Sequence, residues 1–265
     1  MAEDIVLLDV SREGTAVVTL NRPDKRNAFD EEMIADLSRT FDLLGDNENV
    51  RVVLLRGAGE TFCAGADIGW MRRQGEMTRE ANEEDGVTAA RMFKKLHELP
   101  QLTIALVQGA ALGGGAGLVA ACDIAVSLKT TKFRFSEVRL GLIPAMISPY
   151  VVEAIGPRWA RALFATAEGF DGAFAEKIGL VHYAVDDRAA MESLAEHLSG
   201  LAYAAAPGAV RDAKALVRMI AEEGRAIDDR LVRETAKRIA ARRASDEGRE
   251  GLAAFLEKRK PKWET

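Results

Sequence analysis

The sequence contains only two cysteines, Cys63 and Cys122, among its 265 residues. Two cysteines are too few for the disulfide framework that stabilises small secreted proteins. The three histidines, His97, His182 and His197, show no spacing that is typical of metal ligands. We therefore expect neither a structural disulfide nor a metal site.

Long apolar runs and an excess of positive charge are also missing. No uninterrupted apolar stretch approaches the roughly 18 residues of a membrane-spanning helix, and Glu3 and Asp4 stand where a secretion signal would carry positive charge. With 41 acidic and 36 basic residues, the chain has a formal net charge of −5. It therefore lacks the excess of positive charge that is typical of proteins that bind nucleic acid. We expect a cytoplasmic protein that binds neither membranes nor nucleic acid.

What the chain does contain is an alternation of strand and helix patterns in its first two thirds. IVLLDV and TAVVTL predict a hairpin, and Asp30 is placed to cap a helix whose apolar residues follow a helical period. Apolar runs predict buried strands at 50–57 and 102–109, and shorter strands are predicted at 123–128 and 132–137. This order predicts an α/β fold.

Other segments are predicted to be helical or irregular. A helix is predicted at IGWMRR, and the polar stretch 72–85 is expected to be a mobile loop before the next helix. Helical patterns dominate after Pro149. We predict a catalytic core over residues 1–199 and a helical region over residues 200–265.

Five glycines interrupt the apolar run 105–123, ALVQGAALGGGAGLVAACD. A dinucleotide-binding turn is excluded because Leu118 stands where the third glycine is required. A phosphate-binding loop would need a following Gly-Lys-Ser/Thr, which is missing. Close packing explains Gly109, Gly113 and Gly117 but leaves Gly114 and Gly115 without a reason. Glycines at a helix start instead leave N–H groups exposed, as a backbone oxyanion donor requires.

An oxyanion hole needs a second donor, and the loop FCAGAD, residues 62–67, is suited to provide it. This loop follows the predicted strand 50–57 and ends in Asp67, which favours a helix N-terminus. Trp70 and Met71, early in that helix, either line a substrate pocket or fill the core, and we include Trp70 among the candidate substrate-binding residues. Cys63 could be a nucleophile, but no histidine is linked to it by a motif, so a packing role is favoured.

The motifs NRPDKRNAF, FCAGADI, QGAALGGGAGLVAACDIAV, FSEVRLGLIP and EGLAAFLEKRKPKW occur in this order over nearly the whole chain. Together they resemble the successive signatures of the crotonase (enoyl-CoA hydratase/isomerase) superfamily. The resemblance implies a spiral of ββα units followed by a helical C-terminal trimerisation region, in a homotrimer or homohexamer. It also implies an acyl-CoA thioester as substrate, with no cofactor beyond the CoA of that substrate.

Carried over to this sequence, the resemblance implies specific site residues. The backbone N–H groups of Ala66 and Gly114 would be the two oxyanion donors, and Glu137 would be the acid–base residue. The CoA substrate would be held from four parts of the chain by Lys25, Arg26, Ala64, Ala66, Ile68, Gly114, Phe255 and Lys258.

One position departs from the pattern of hydratases with two glutamates, because Gly117 stands where the first glutamate is expected. Glu76, Glu83 or Asp85 could supply a second carboxylate. Since Gly117 lies one helical turn from Gly114, Gly117→Ala is expected to be milder than Gly114→Pro.

The motifs look most like the bacterial methylglutaconyl-CoA hydratase branch, which implies syn addition of water to a 2-enoyl-CoA, with a branched acyl group as one prospect. Two other functions stay open. One is a Δ3,Δ2-enoyl-CoA isomerase, which can work with a single glutamate. The other is a catalytically weak acyl-CoA-binding or assembly protein.

Overall fold

The structure is a computed structural model that describes residues 4–222 and 227–264. The chain divides into two compact units. The first unit comprises residues 4–99 and 103–196, and the second comprises residues 100–102 and the described residues from 197 onward.

The strands form two sheets. The larger sheet has six strands in the order β1-β2-β3-β4-β6-β9, and the smaller one has three in the order β5-β7-β8. Their bounds are β1 Val6–Val10, β2 Thr15–Leu20, β3 Val52–Gly57, β4 Leu102–Val107, β5 Ala110–Leu112, β6 Ile124–Leu128, β7 Lys132–Arg134, β8 Phe170–Asp171 and β9 Tyr183–Val185. The predicted hairpin is confirmed, because β1 and β2 pair antiparallel, whereas β2 and β3 pair parallel.

The helices of the first unit lie between these strands. Their bounds are α1 Glu31–Gly45, α2 Ile68–Gly75, α3 Arg79–Glu98, α4 Gly114–Ala121, α5 Ser148–Thr166 and α6 Gly172–Ile178. The chain continues through α7 Arg188–Ala204, α8 Pro207–Glu222, α9 Asp229–Ala244 and α10 Asp246–Glu257. The predicted α/β fold with helices toward the C-terminus is confirmed.

Helix α1 shows how local sequence sets these elements. The Asp30 side chain accepts a hydrogen bond from the Met33 amide at 3.1 Å, as an N-cap should. Met33, Leu37, Phe41 and Leu44 are all buried, so the predicted apolar stripe faces the core. The apolar run of β3 is buried as predicted, although the strand begins at Val52 rather than at residue 50.

Two predictions about chain segments are wrong. Residues 72–85 belong mostly to α2 and α3, because Thr78 caps α3 and the Asn82 side chain donates to the Gln74 carbonyl at 2.9 Å. The start of α3 is exposed, so its polar residues suit a helix in solvent. The strand predicted over 132–137 ends at Arg134, and Glu137 begins a 3-10 turn instead.

Candidate active site

The two glycine-containing loops lie side by side in the first unit. The Cys63 amide donates to the Ala110 carbonyl at 3.0 Å, and the Leu112 amide donates back to the Cys63 carbonyl at 3.0 Å. Gly65 has φ +91°, and a Cβ there would stand 2.8 Å from the Leu112 carbonyl oxygen. This parallel pairing places the start of α4 next to the loop 62–67.

The Ala66 amide is left free by the pairing around it. The Phe29 amide donates to the Gly65 carbonyl at 2.7 Å, and the Asp67 amide donates to the Phe29 carbonyl at 2.6 Å. Successive amides of an extended segment point in opposite directions, so the Ala66 N–H points away from Phe29. It has no hydrogen-bond partner among the residues that the structure describes.

The Gly114 amide is free for a different reason. Gly114 is the first residue of α4, and the first amides of a helix have no carbonyl in a preceding turn. Within residues 4–222 and 227–264, the Gly114 amide donates to no acceptor, whereas the Gly113 amide donates to the Arg134 carbonyl at 2.8 Å. Both predicted oxyanion donors therefore have unused N–H groups, and both residues line the same cavity.

The triple glycine also has a packing role, which corrects the sequence interpretation. A Cβ at Gly114 would stand 2.6 Å from a ring carbon of Phe29, and one at Gly115 would stand 2.5 Å from the Cys63 carbonyl oxygen. The expectation that close packing leaves these two glycines without a reason is therefore wrong, because packing requires both of them. The absence of side chains at Gly114 and Gly115 therefore allows Phe29 and Cys63 to pack closely, and it also leaves the Gly114 amide accessible.

Glu137 lies against the start of α4. A Cβ built on Gly113 would be 3.0 Å from the Glu137 Oε1 atom. The other oxygen, Oε2, is buried and has no hydrogen-bond partner in the described part of the chain. Burial raises the pKa of Glu137 above its ordinary value because the charged form loses hydration. A carboxyl group with a raised pKa is suited to both accepting and donating a proton.

The cavity beside these groups has a volume of about 270 Å³. Its polar lining side chains are Gln74, Ser136, Glu137 and Trp70, whose indole N–H is buried without an acceptor among the described residues. Of these, Glu137 alone is ionisable. The walls are otherwise apolar and include Ile34, Met71, Met92, Phe93 and Ile147. Trp70 is only 3% exposed, so it lines the cavity and is part of the core at once.

A hydrophobic side chain, Ile147, fills the space beside Gly117, the position where the first glutamate is expected. A Cβ at Gly117 would stand 2.2 Å from Ile147 Cγ2 and 3.1 Å from a ring carbon of Phe93. Gly117→Ala should therefore lower the stability of the protein, because overpacking of a core typically costs about 1 to 3 kcal/mol. That it harms turnover less than Gly114→Pro stays a prediction. Neither Glu76, Glu83 nor Asp85 lines the cavity, although Asp85 accepts a hydrogen bond from Gln74, which does.

The residues expected to hold CoA fall into two groups. Ala64, Ala66 and Ile68 line the cavity. The Ala64 amide donates to the Arg26 carbonyl at 2.9 Å, so the loop with Lys25 and Arg26 is bonded to the segment that lines the cavity. The side chains of Lys25 and Arg26 are exposed. Phe255 and Lys258 belong to the second unit, at the end of α10, and both are exposed there, so their contact with CoA stays a prediction.

The Asn27 side chain holds the first loop in place. Its amide nitrogen donates to the carbonyls of Ala58 and Thr61 at 3.0 and 2.7 Å, and its oxygen accepts from the Arg22 amide at 2.8 Å. Asn27 is fully buried. The motif NRPDKRNAF therefore has a structural residue that sequence reasoning missed.

Cys63 is not suited to nucleophilic chemistry. Its side chain is fully buried, and burial raises the pKa of the thiol to about 12. The reactive thiolate is therefore scarce at neutral pH. This supports the packing role predicted for Cys63.

Two further observations concern binding partners. No cluster of three or more His, Cys, Asp or Glu side chains is arranged to hold a metal ion among the residues described here. In the same part of the chain, no helix combines the length and apolar character needed to cross a bilayer.

The protein thus has a mixed α/β fold. Two free backbone N–H donors and one carboxylate, that of Glu137, lie together at one largely apolar cavity. The family model described as enoyl-CoA hydratase/isomerase matches residues 11–265. The chain therefore belongs to the enoyl-CoA hydratase/isomerase family.

Individual relatives agree with this assignment. The crystal structure of an enoyl-CoA hydratase from Shewanella pealeana is 39% identical with a TM-score of 0.94, covering 98% of this chain and 96% of its own. Pseudomonas aeruginosa AtuE is 37% identical with a TM-score of 0.93, covering 99% and 100%. A crotonyl-CoA hydratase from Syntrophomonas wolfei is 31% identical over 263 residues, covering 98% of each chain.

Proposed function

We propose that the chain is an enoyl-CoA hydratase that adds water syn across the double bond of a 2-enoyl-CoA thioester. The observation that carries the proposal is the position of Glu137, whose carboxylate lies against Gly113, directly before the free amide of Gly114. A proton-transfer group and an oxyanion donor thus border one cavity.

The proposed reaction assigns one role to each group. Glu137 takes a proton from water as the water oxygen bonds to the β-carbon, and the π electrons move onto the α-carbon and the thioester oxygen. The amides of Ala66 and Gly114 stabilise that developing negative charge, which preorganised donors do best where water is excluded. Glu137 then returns the proton to the α-carbon, and no cofactor is consumed.

The residues that line the cavity indicate which acyl groups fit into it. Its apolar walls suit a short or methyl-branched chain, in keeping with the resemblance to the methylglutaconyl-CoA branch. Glu137 has the only ionisable side chain among the lining residues, so a distal carboxylate on the substrate would find no cation there to pair with. We therefore propose that a branched substrate without a distal carboxylate is used best.

A second candidate, Δ3,Δ2-enoyl-CoA isomerase, is favoured by one observation. Ile147 fills the place where α4 would carry a second carboxylate, so Glu137 has no acidic partner among the described residues that line the cavity. One carboxylate can move a proton between C2 and C4 without any bound water. The same oxyanion amides would stabilise the intermediate.

An assay of several acyl-CoA thioesters separates these functions. We expect hydration of crotonyl-CoA and 3-methylcrotonyl-CoA, slower hydration of 3-methylglutaconyl-CoA, and slower double-bond migration in 3-hexenoyl-CoA. Migration without hydration would replace the hydratase proposal with the isomerase. Tight binding of every thioester without turnover would instead indicate an acyl-CoA-binding protein.

We also propose that the helical C-terminal region mediates assembly into a trimer or hexamer. Exposed apolar side chains recur along α8, α9 and α10, namely Val217, Ile220, Val232, Ile239, Leu252, Phe255 and Leu256. Contiguous exposed apolar surface commonly marks an interface. Sedimentation should show a species of three or six chains, and a stable monomer at working concentration would contradict the proposal.

A further inference from the structure

A water molecule that adds to a double bond has to be held before it reacts. Buried waters typically make about three hydrogen bonds to protein groups. Glu137 can provide one of them, so the cavity needs at least one more polar partner beside it. The polar lining side chains other than Glu137 are Gln74, Ser136 and Trp70. The Trp70 indole N–H is buried without an acceptor in the described part of the chain, and it can only donate a hydrogen bond.

Helix α4 offers no polar side chain for this purpose. Gly117 faces Ile147 and Phe93 so closely that even a methyl group would collide with them. This side of the cavity is therefore apolar. A carboxylate cannot enter from α4 unless Ile147 moves.

Gln74 already has partners. Its side-chain amide donates to the Asp85 carboxylate, and its backbone carbonyl accepts from Asn82. These bonds join the end of α2 to the start of α3. The orientation of the Gln74 side chain is thus set by Asp85.

Ser136 differs from Gln74 and Trp70. Its hydroxyl has no other partner within the described residues, lies next to Glu137 in the chain, and can both donate and accept a hydrogen bond. It immediately precedes Glu137, is half-buried, and lines the same cavity. Its hydroxyl does not cap the 3-10 turn that follows, and it makes no hydrogen bond with any residue in the described ranges. A serine hydroxyl can donate one hydrogen bond and accept two.

We infer that the Ser136 hydroxyl is the second anchor of the attacking water, in the role that an acidic partner on α4 would otherwise fill. This inference rests on the proposed hydration. Ser136 holds the water oxygen and keeps its own proton, while Glu137 takes a proton from the water and later delivers it to the α-carbon. Ser136 therefore acts only in the steps that involve water.

The test compares a reaction that uses added water with one that does not. Exchange of the α-proton of butyryl-CoA with D₂O requires Glu137 and the oxyanion amides but no addition of water. For Ser136→Ala, we expect kcat for hydration of crotonyl-CoA to fall about 10- to 100-fold, as the loss of a hydrogen bond to a charged transition state implies. Its α-proton exchange and its KM should stay within about twofold of wild type, and Ser136→Thr should restore most of the hydration.

Controls make the outcomes distinct. Ser38→Ala removes a hydroxyl that bonds Lys95 and does not line the cavity, so both reactions should be unchanged. Equal loss of hydration and exchange in Ser136→Ala would overturn the inference, because it would mean that Ser136 acts through Glu137. Unchanged hydration would overturn it as well. If the wild-type protein exchanges the α-proton but hydrates no substrate, the proposed function fails, and the inference fails with it.

Discussion

Glu137→Gln is expected to lose hydration activity by about 10² to 10⁴ in kcat, the contribution typical of a positioned acid–base residue. The glutamine keeps the size of the side chain but cannot exchange a proton with water or with the α-carbon. The two oxyanion amides and the walls of the cavity are unchanged, so acyl-CoA binding should be retained. Steady-state hydration of crotonyl-CoA, with calorimetric titration of the product thioester, separates the two effects.

Glu76→Gln is the matched control for this change. Glu76 is exposed, lies at the end of α2 and does not line the cavity. Its variant should hydrate crotonyl-CoA at nearly the wild-type rate. Comparable losses in the two variants would mean that Glu76 completes a carboxylate pair, which contradicts the single-carboxylate mechanism.

Replacing Ala66 by lactic acid is expected to slow hydration by about 10² to 10³, the usual effect of losing one oxyanion donor. The ester keeps the side chain and removes the N–H group, which has no partner among the described residues. It also weakens the Gly65 carbonyl as the acceptor of the Phe29 amide, an effect that lowers stability rather than kcat. This change is cleaner than Gly114→Pro, because any Cβ at position 114 would also collide with Phe29. Hydration kinetics of the semisynthetic protein would measure the loss in kcat.

The matched control is the same replacement at Ala64. The Ala64 amide donates to the Arg26 carbonyl, so its loss removes a structural hydrogen bond worth about 1 kcal/mol. That variant should be less stable in urea but should keep its kcat. If the Ala64 ester is as slow as the Ala66 ester, the Ala66 amide has no special part in the reaction.

Much of the fold could be predicted because local sequence and tertiary structure agree. The stripe on α1 and its Asp30 cap follow from helical periodicity, and the buried run of β3 follows from continuous apolar sequence. Residues 72–85 could not be predicted correctly because the first turns of α3 have no apolar stripe. Their helix depends on the Thr78 cap and on the bonds of Asn82 and Gln74, which sequence periodicity does not register.

The candidate site was predictable only where a motif marks it. Glu137, Ala66 and Gly114 are marked by their motifs, and the structure brings all three to one cavity. Ile147 lies outside the quoted motifs, and Ser136 lies inside FSEVRLGLIP but is given no role by the resemblance. An isoleucine near a helix start and a serine at a turn have many ordinary roles. Their importance arises from contacts between distant segments, above all the contact of Ile147 with Gly117.

The central claim is that Glu137, beside two free backbone amides, moves the proton at the α-carbon of a CoA thioester. The most direct measurement is NMR of butyryl-CoA in D₂O with the wild-type protein and with Glu137→Gln. The account predicts that wild type incorporates deuterium at the α-carbon and that the variant loses this exchange by at least about 10². Exchange at the wild-type rate in Glu137→Gln, or none in the wild-type protein, would contradict it.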